Sequence, residues 1–159
     1  MAESDELFKY IEIGDVTKYG LITKSVEGRF NELPSRGEYQ IGTGDVLMAL
    51  NNSSRGTVVL VPPAFDKAIC TSGFLVIKPK SEEDGLLLWY ALQSELCRKQ
   101  IYYLAQTASQ PELKVDAWNR YFRIPIPAGE KRVQALHKSR ELYNFIARLS
   151  DADSFKLDF

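Results

Sequence analysis

Residue types that build metal and redox sites are scarce in this sequence. Its 159 residues include two cysteines and one histidine. Cys70 and Cys97 are far apart and have no CxxC spacing, and His137 has no second ligand at metal-binding spacing. We therefore expect two buried thiols in a reducing compartment, the cytoplasm, and neither a metal nor a cofactor.

Long hydrophobic runs are also missing. No apolar stretch approaches the ~20 residues that a membrane-spanning helix needs. The first six residues, Met1-Ala-Glu-Ser-Asp-Glu6, are acidic and unlike a signal peptide. A hydrophobic fraction of 45% with 26% charged residues is typical of a globular domain with its own core, so we expect no membrane partner.

Three short motifs suggest catalysis, but each lacks a necessary part. Gly42-Thr-Gly-Asp45 is not followed by the Gly-Lys-Ser/Thr of a phosphate-binding loop, so it predicts a turn. Lys24-Ser25 lies in one polar stretch, whereas a Ser–Lys dyad needs its members on separate elements. Val61-Pro-Pro-Ala-Phe65 lacks the Asn or Asp that amino-methyltransferases place before Pro-Pro. A binding role is therefore favoured over an enzymatic one.

Charge is unevenly distributed although the net charge is only −1. Residues 1–97 carry 9 Lys and Arg against 14 Asp and Glu, and residues 98–148 carry 10 against 4. Residues 149–159 carry 1 against 3. The basic second half is compatible with a surface that faces phosphates, and equally with basic helix faces that face water.

Alternating and continuous apolar runs predict strands in the first half of the chain. The predicted strands are Phe8–Ile13, Val46–Leu50, Thr57–Val61 and Ile69–Ile77, with a short edge strand at Tyr121–Pro127. Residues 24–40 are polar and contain Pro34 and Gly37, so they predict a long loop.

Helical spacing begins after the first strands. Asp84 is a candidate N-cap for a helix that includes Leu88 and Leu92, and Ser94 is a candidate cap for a second helix. We expect Phe74, Trp89, Tyr102 and Tyr103 in the core, and leave Trp118 open. The predicted fold class is α+β: a mixed, mainly antiparallel curved β-sheet with inserted helices and a C-terminal helix.

The last predicted helix runs from Glu130 to Leu149 and has an apolar stripe. The stripe consists of Leu136, Ser139, Leu142, Tyr143, Ile146 and Leu149. A free helix of ~20 residues is marginal in water, so this stripe must pack against its own domain or another helix. We favour a partner helix. Lys131 and Arg132 indicate that the opposite face of this helix is in contact with solvent or with a partner protein.

A polar segment, Asn51-Asn-Ser-Ser-Arg-Gly56, interrupts two strand patterns and has two interpretations. Amides, hydroxyls and a guanidinium are the groups that bind base edges and phosphates. The same residue types are typical of an ordinary solvated turn.

Several segments occur in a recognisable order along the chain. They are Tyr10-Ile-Glu-Ile-Gly-Asp-Val16, Pro34-Ser-Arg36, Gly44-Asp-Val-Leu47, Arg55-Gly56, Thr71-Ser-Gly-Phe74, Ala108-Ser-Gln-Pro-Glu-Leu113 and Ile124-Pro-Ile-Pro127. This succession, from Tyr10 to about Leu149, resembles a target recognition domain of the specificity (S) subunits of type I restriction-modification systems.

The resemblance implies a non-catalytic reader of double-stranded DNA that directs a methyltransferase (M) subunit, with a restriction subunit as a further candidate partner. It implies a target recognition domain at 1–127, a C-terminal helix at 128–149 like the start of the family's spacer helix, and an acidic tail at 150–159. The family's subunits carry two recognition domains and this sequence has one, so a homodimer through the C-terminal helix is a further candidate. The alternative is a protein-interaction module that does not bind DNA alone.

The resemblance also gives the polar segments a role. Asn pairs with adenine and Arg with guanine in the major groove, while Ser and Lys suit phosphates. The candidate DNA-binding residues are Ser35, Arg36, Asn51, Asn52, Ser53, Ser54, Arg55, Gln106, Thr107, Ser109, Gln110, Lys114 and Arg120, with Arg123 as a further phosphate contact. The asparagines can instead shape the turn, the arginines can pair with carboxylates, and the glutamines can cap helices.

Overall fold

Two β-sheets and a helical layer form the molecule. The computed structural model describes residues 5–35, 37–50, 57–106 and 119–152, without the side chains of 105–106 and 149–152. The strands are β1 (Leu7–Ile11), β2 (Val26–Arg29), β3 (Gly37–Gln40), β4 (Val46–Ala49), β5 (Val58–Leu60), β6 (Ile69–Thr71) and β7 (Phe74–Ile77). Three long α-helices lie in the described ranges: α1 (Glu82–Leu92), α2 (Glu95–Gln106) and α3 (Gly129–Ala152).

The strands divide between a four-stranded sheet of order β2-β1-β6-β3 and a three-stranded sheet of order β5-β4-β7. Strands β1 and β6 are parallel, and the other pairs are antiparallel. The predicted fold class, a mixed and mainly antiparallel α+β fold with a C-terminal helix, is confirmed.

The three-stranded sheet is the central layer of the core. On β4, Val46 and Met48 pack in the cluster that includes the helices, while Leu47 and Ala49 pack in the cluster shared with the four-stranded sheet. Successive side chains of a strand point to opposite faces, so this division follows from the strand geometry. Burial on both faces explains why the sequence of β4 is continuously apolar rather than alternating.

The prediction of one strand over Ile69–Ile77 is wrong. The chain leaves the four-stranded sheet after β6, turns at Ser72-Gly73, and enters the three-stranded sheet as β7. The carbonyl oxygen of Gly73 accepts the backbone N–H of Leu50 at 2.9 Å, which attaches this turn to the end of β4. The small residues in the middle of the run mark the crossing between sheets.

The prediction of a loop over residues 24–40 is also wrong, since β2 and β3 lie there. Both are outer strands of the four-stranded sheet. Only Gly28 of β2 is buried, and the residues of β3 are half-buried or exposed. Outer strands held by backbone hydrogen bonds need no apolar pattern, and therefore gave no hydrophobic signal.

Two helix caps were predicted, with different outcomes. The Ser81 hydroxyl accepts the backbone N–H of Asp84 at 3.1 Å, so Ser81 is the N-cap and Asp84 lies in the first turn of α1. The prediction of Asp84 as the cap is corrected. The Ser94 hydroxyl accepts the N–H of Cys97 at 3.3 Å, as expected of a cap for α2.

The predicted edge strand over Tyr121–Pro127 does not form. Residues 119–121 are helical and 122–128 have no regular structure. The side chain of Gln100 on α2 makes the hydrogen bonds that a neighbouring strand would make. It accepts the N–H of Arg123 and donates to the Arg123 carbonyl, both at 2.8 Å. The prolines in this segment lack the N–H groups that a sheet would use.

Helix α3 packs back on its own domain. Leu136, Ser139 and Ile146 are buried, and Tyr143 meets Trp89 of α1 edge to face at a centroid distance of 5.7 Å. The expectation that this stripe is reserved for a partner helix is therefore corrected for these residues. Arg132 also faces inward, because its guanidinium donates to Asp84 at 3.0 Å. Within the described ranges, no helix combines the length and apolarity needed to cross a membrane.

Candidate nucleic-acid interface

The polar segment 51–56 joins β4 to β5. These six residues lie outside the described part of the chain, but the residues on either side are well defined. Ala49 donates its N–H to the carbonyl of Thr57 at 2.9 Å, and Met48 is paired with Val58. The segment therefore starts and ends on paired neighbouring strands.

Two further connections meet the same end of the molecule. The turn Ser72-Gly73 is attached there by the hydrogen bond from Leu50 to Gly73. Gly37, at the start of β3, is paired with Thr71 at the end of β6, so the exposed Ser35 precedes a strand that begins beside this turn. We call this region the loop end: residues 34, 35, 37, 50, 57 and 71–74.

Most of the candidate DNA-binding residues lie outside the described ranges. They are Arg36, Asn51, Asn52, Ser53, Ser54, Arg55, Thr107, Ser109, Gln110 and Lys114. For Gln106, only its place in α2 is described. The structure thus brings together the attachment points of segments 35–36 and 51–56, while the positions of their side chains stay predictions.

Arg120 and Arg123 lie on the helical side of the molecule. Arg120 is exposed in the helical residues 119–121. Arg123 is held through its backbone by Gln100, and its guanidinium donates to the carbonyl of Phe122 at 2.9 Å. Phe122 is buried in the cluster beneath the helices. The exposed Arg120 is thus next to a segment fixed to the core.

A groove of about 490 Å³ separates β3 from β7, the outer strands of the two sheets. Leu50 and Ser72 line it beside the loop end, and Tyr39 and Lys78 line it further along. The Lys78 ammonium lies 2.8 Å from the Asp45 carboxylate, so its charge is already balanced. The groove therefore continues the surface of the loop end, but Lys78 adds no unbalanced positive charge to it.

A tight hairpin next to β5 adds two residues that the sequence analysis missed, Lys18 and Tyr19. Gly20 lies against the backbone of Val58, one residue beyond Thr57. Tyr19 is 54% exposed, and the Lys18 ammonium lies 5.1 Å from the centre of its ring. The available signal was a basic and an aromatic residue before a turn glycine, in Thr17-Lys-Tyr-Gly20.

Two tyrosines expected in the core lie on the surface instead. Tyr102 and Tyr103 on α2 are 58% and 66% exposed, and their rings meet edge to face. The buried side of this helix is formed by Cys97 and Ile101, four residues apart, which leaves positions 102 and 103 facing solvent. The expectation that Phe74 and Trp89 lie in the core is confirmed.

Both cysteine thiols are buried, as predicted. Burial raises the pKa of Cys70 to about 12 and also raises the pKa of Cys97. Both are therefore thiols at neutral pH and poor nucleophiles. Among the described residues, no three His, Cys, Asp or Glu side chains are grouped as a metal site.

Lowered carboxylate pKa values occur away from the loop end. The Arg132 guanidinium and the Ser81 hydroxyl lower the pKa of Asp84. The backbone N–H of Thr43 lowers the pKa of Asp66, which accepts it at 2.9 Å. A cavity of about 690 Å³ lies on this side, between the 43–45 turn, the start of α1 and α3. The perturbed carboxylates thus stabilise turns and helix packing.

No family model and no curated protein matches the chain. Solved structures do match, among them two with a TM-score of 0.71. One is a chain from a study of the structural basis of complex assembly and conformational transition of the type I R-M system, with a TM-score of 0.71, 24% identity, and coverage of 94% of this chain and 38% of that one. The other is the HsdS subunit from Thermoanaerobacter tengcongensis, with the same TM-score and identity, and coverage of 94% and 39%.

The present chain thus spans less than half the length of either structure. At this identity the likeness concerns the fold. The resemblance predicted from the sequence is confirmed at that level: the chain has the fold of one segment of a type I restriction-modification specificity subunit.

Proposed function

We propose that this chain is a non-catalytic DNA target recognition domain that directs a partner methyltransferase. The observation that carries the proposal is the fold likeness to the HsdS subunit over 94% of the chain. The residues that flank segments 35–36 and 51–56 come together at the loop end, which supports the proposal because base reading needs several polar side chains on one surface.

In this proposal the segments divide the work of recognition. Asn51 and Asn52 read adenine, and Arg36 and Arg55 read guanine, through paired hydrogen bonds in the major groove. Ser35, Ser53 and Ser54 bind phosphates. On the helical side, Gln106, Thr107, Ser109 and Gln110 form a second polar segment, and Lys114 and Arg120 supply charge.

The proposed organisation follows the resemblance. Residues 1–127 form the recognition domain, 128–149 the C-terminal helix, and 150–159 an acidic tail. The partners are double-stranded DNA, an M subunit and, in the full system, a restriction subunit. A second copy bound through the outer face of α3 would supply the second recognition domain; Val133 and Phe145 are exposed on that helix. The proposed site of action is the cytoplasm.

Fluorescence anisotropy tests DNA binding directly, with the purified chain and a pool of random duplexes at about 50 and about 200 mM salt. A chain that contacts about four phosphates should lose about 100-fold in affinity between these conditions. The bound pool then yields the preferred sequence. Replacing Asn52 or Arg55 by alanine should cost about 1–3 kcal/mol on that sequence and far less on random DNA. An equal loss on both would contradict base reading by these residues.

The net charge of −1 favours a second candidate, an interaction module that binds DNA only within a larger complex. Absence of binding at both salt concentrations would contradict autonomous recognition. Binding that appears when a type I M subunit is added would then support the second candidate.

A further inference from the structure

Residues 15–23 form a hydrogen-bonded hairpin beside the start of β5, with an exposed tip at Lys18 and Tyr19. Thr23 donates its N–H to the carbonyl of Asp15 at 2.8 Å, and Val16 forms a β-bridge with Ile22. Thr17 closes the tip: its N–H donates to the carbonyl of Leu21 at 2.8 Å, and its hydroxyl accepts the Leu21 N–H at 3.2 Å. The tip residues Lys18 and Tyr19 are therefore carried on a backbone with little freedom.

The core fixes this hairpin from two sides. Val16 and Ile22 pack against the cluster between the sheets, and Leu21 packs against the cluster beneath the helices. Gly20 has φ +82° and touches the Val58 carbonyl, so the tip lies directly against the start of β5. Because Thr57 pairs with Ala49 at the same place, the hairpin tip adjoins the point where the chain enters β5.

The tip presents groups suited to a phosphate. Lys18 is exposed, and no ion pair within the described ranges involves it, whereas Lys78 and Lys99 are each paired with a carboxylate. The Tyr19 ring is more than half exposed and holds the Lys18 ammonium near its face. Because the hydrogen bonds of the hairpin already fix the backbone of the turn, binding would cost these two residues only side-chain freedom.

We propose that the Lys18–Tyr19 tip is a second DNA contact of this domain, in which the Lys18 ammonium and the Tyr19 hydroxyl bind phosphates of a DNA strand that passes the start of β5. This inference rests on the proposed function. It assigns to the tip the task of fixing the register of the DNA, since phosphate contacts position a duplex and base contacts specify it.

The test measures binding of the selected duplex by anisotropy across a salt series, with full-length variants whose folding is checked by thermal unfolding. Lys18→Gln should lower the slope of log affinity against log salt by about one, and weaken binding about tenfold at low salt. Tyr19→Phe removes only the hydroxyl and should weaken binding about tenfold, with the slope unchanged.

Lys80→Gln is the matched control, because Lys80 is equally an exposed lysine but follows the opposite end of β7 from the loop end. Its slope should equal that of the unmodified chain. Two results would overturn the Lys18 assignment, provided that the unmodified chain binds DNA. One is an unchanged salt slope in Lys18→Gln, and the other is an equal change of the salt slope in Lys80→Gln. Undiminished binding by Tyr19→Phe would overturn that of Tyr19. If the unmodified chain binds no DNA, the proposed function fails, and this inference fails with it.

Discussion

Gly20 controls the placement of its hairpin in two separable ways. Its φ of +82° lies in the left-handed region, and a Cβ at this position would meet the carbonyl oxygen of Val58. Gly44 has a similar φ of +86°, but a Cβ there would meet nothing within 4 Å. An alanine at position 44 would therefore introduce backbone strain alone, whereas an alanine at position 20 would introduce both backbone strain and a steric clash.

Gly44→Ala should lower the free energy of unfolding by about 1 kcal/mol, the cost of left-handed backbone alone. Gly20→Ala should lower it by about 3 kcal/mol, because the hairpin must also move away from β5. Chemical denaturation of the two variants provides the comparison. Equal losses would mean that the hairpin does not press against Val58.

At the scale of elements, the docking of α3 on α1 depends on one face of the helix. Ile146 is buried in the core cluster, whereas Val133 on the same helix is 66% exposed. Ile146→Ala should lower the free energy of unfolding by about 2–4 kcal/mol, since it removes buried methyl groups and leaves a cavity.

Val133→Ala should change the same quantity by less than about 0.5 kcal/mol at protein concentrations where the chain is a monomer. Denaturant titration of both variants is the measurement. A small effect of Ile146→Ala in the isolated chain would restore the earlier expectation that the stripe awaits a partner helix.

How well each element could be predicted depended on its burial. Strand β4 and helix α1 were found because their buried residues leave a hydrophobic pattern. Strands β2 and β3 were missed because outer strands are held by backbone hydrogen bonds, which every sequence can make. The division of Ile69–Ile77 between two sheets was missed because both halves are apolar, and only tertiary pairing decides which sheet each half joins.

The candidate site was predictable in its chemistry and not in its geometry. Polar clusters at residues 35–36 and 51–56 are visible in the sequence, but the closeness of the residues that flank them depends on the pairing of Gly37 with Thr71 and on the hydrogen bond from Leu50 to Gly73. The tip at Lys18 and Tyr19 was missed for the same reason. Its closeness to β5 follows from a packing contact between residues far apart in the chain.

At the scale of the whole molecule, the two larger core clusters of the described residues share the three-stranded sheet. Cys70 belongs to the cluster between the sheets and Cys97 to the cluster beneath the helices. Because β4 contributes side chains to both clusters, we expect them to unfold together in one cooperative transition.

Thiol labelling tests this expectation. Neither cysteine should react with a disulfide reagent in the native protein near pH 8, since both are buried and the pKa of Cys70 is raised to about 12. With added denaturant, the variants Cys70→Ala and Cys97→Ala should each expose their remaining thiol at the midpoint seen by circular dichroism, after allowance for each variant's own stability. A thiol that reacts at clearly lower denaturant would show that its layer opens independently.

The hydrogen bond between Ala49 and Thr57 has a consequence for the evolution of the chain. The bond pairs Ala49 with Thr57 on either side of residues 51–56, next to the pairing of Met48 with Val58 in the β4–β5 ladder. We therefore expect substitutions at 51–56 to leave the pairing of Met48 with Val58 and the burial of both unchanged. Residues 51–56 can therefore be replaced as a unit. Recombination at this segment would change the binding preference of the domain without lowering the free energy of unfolding.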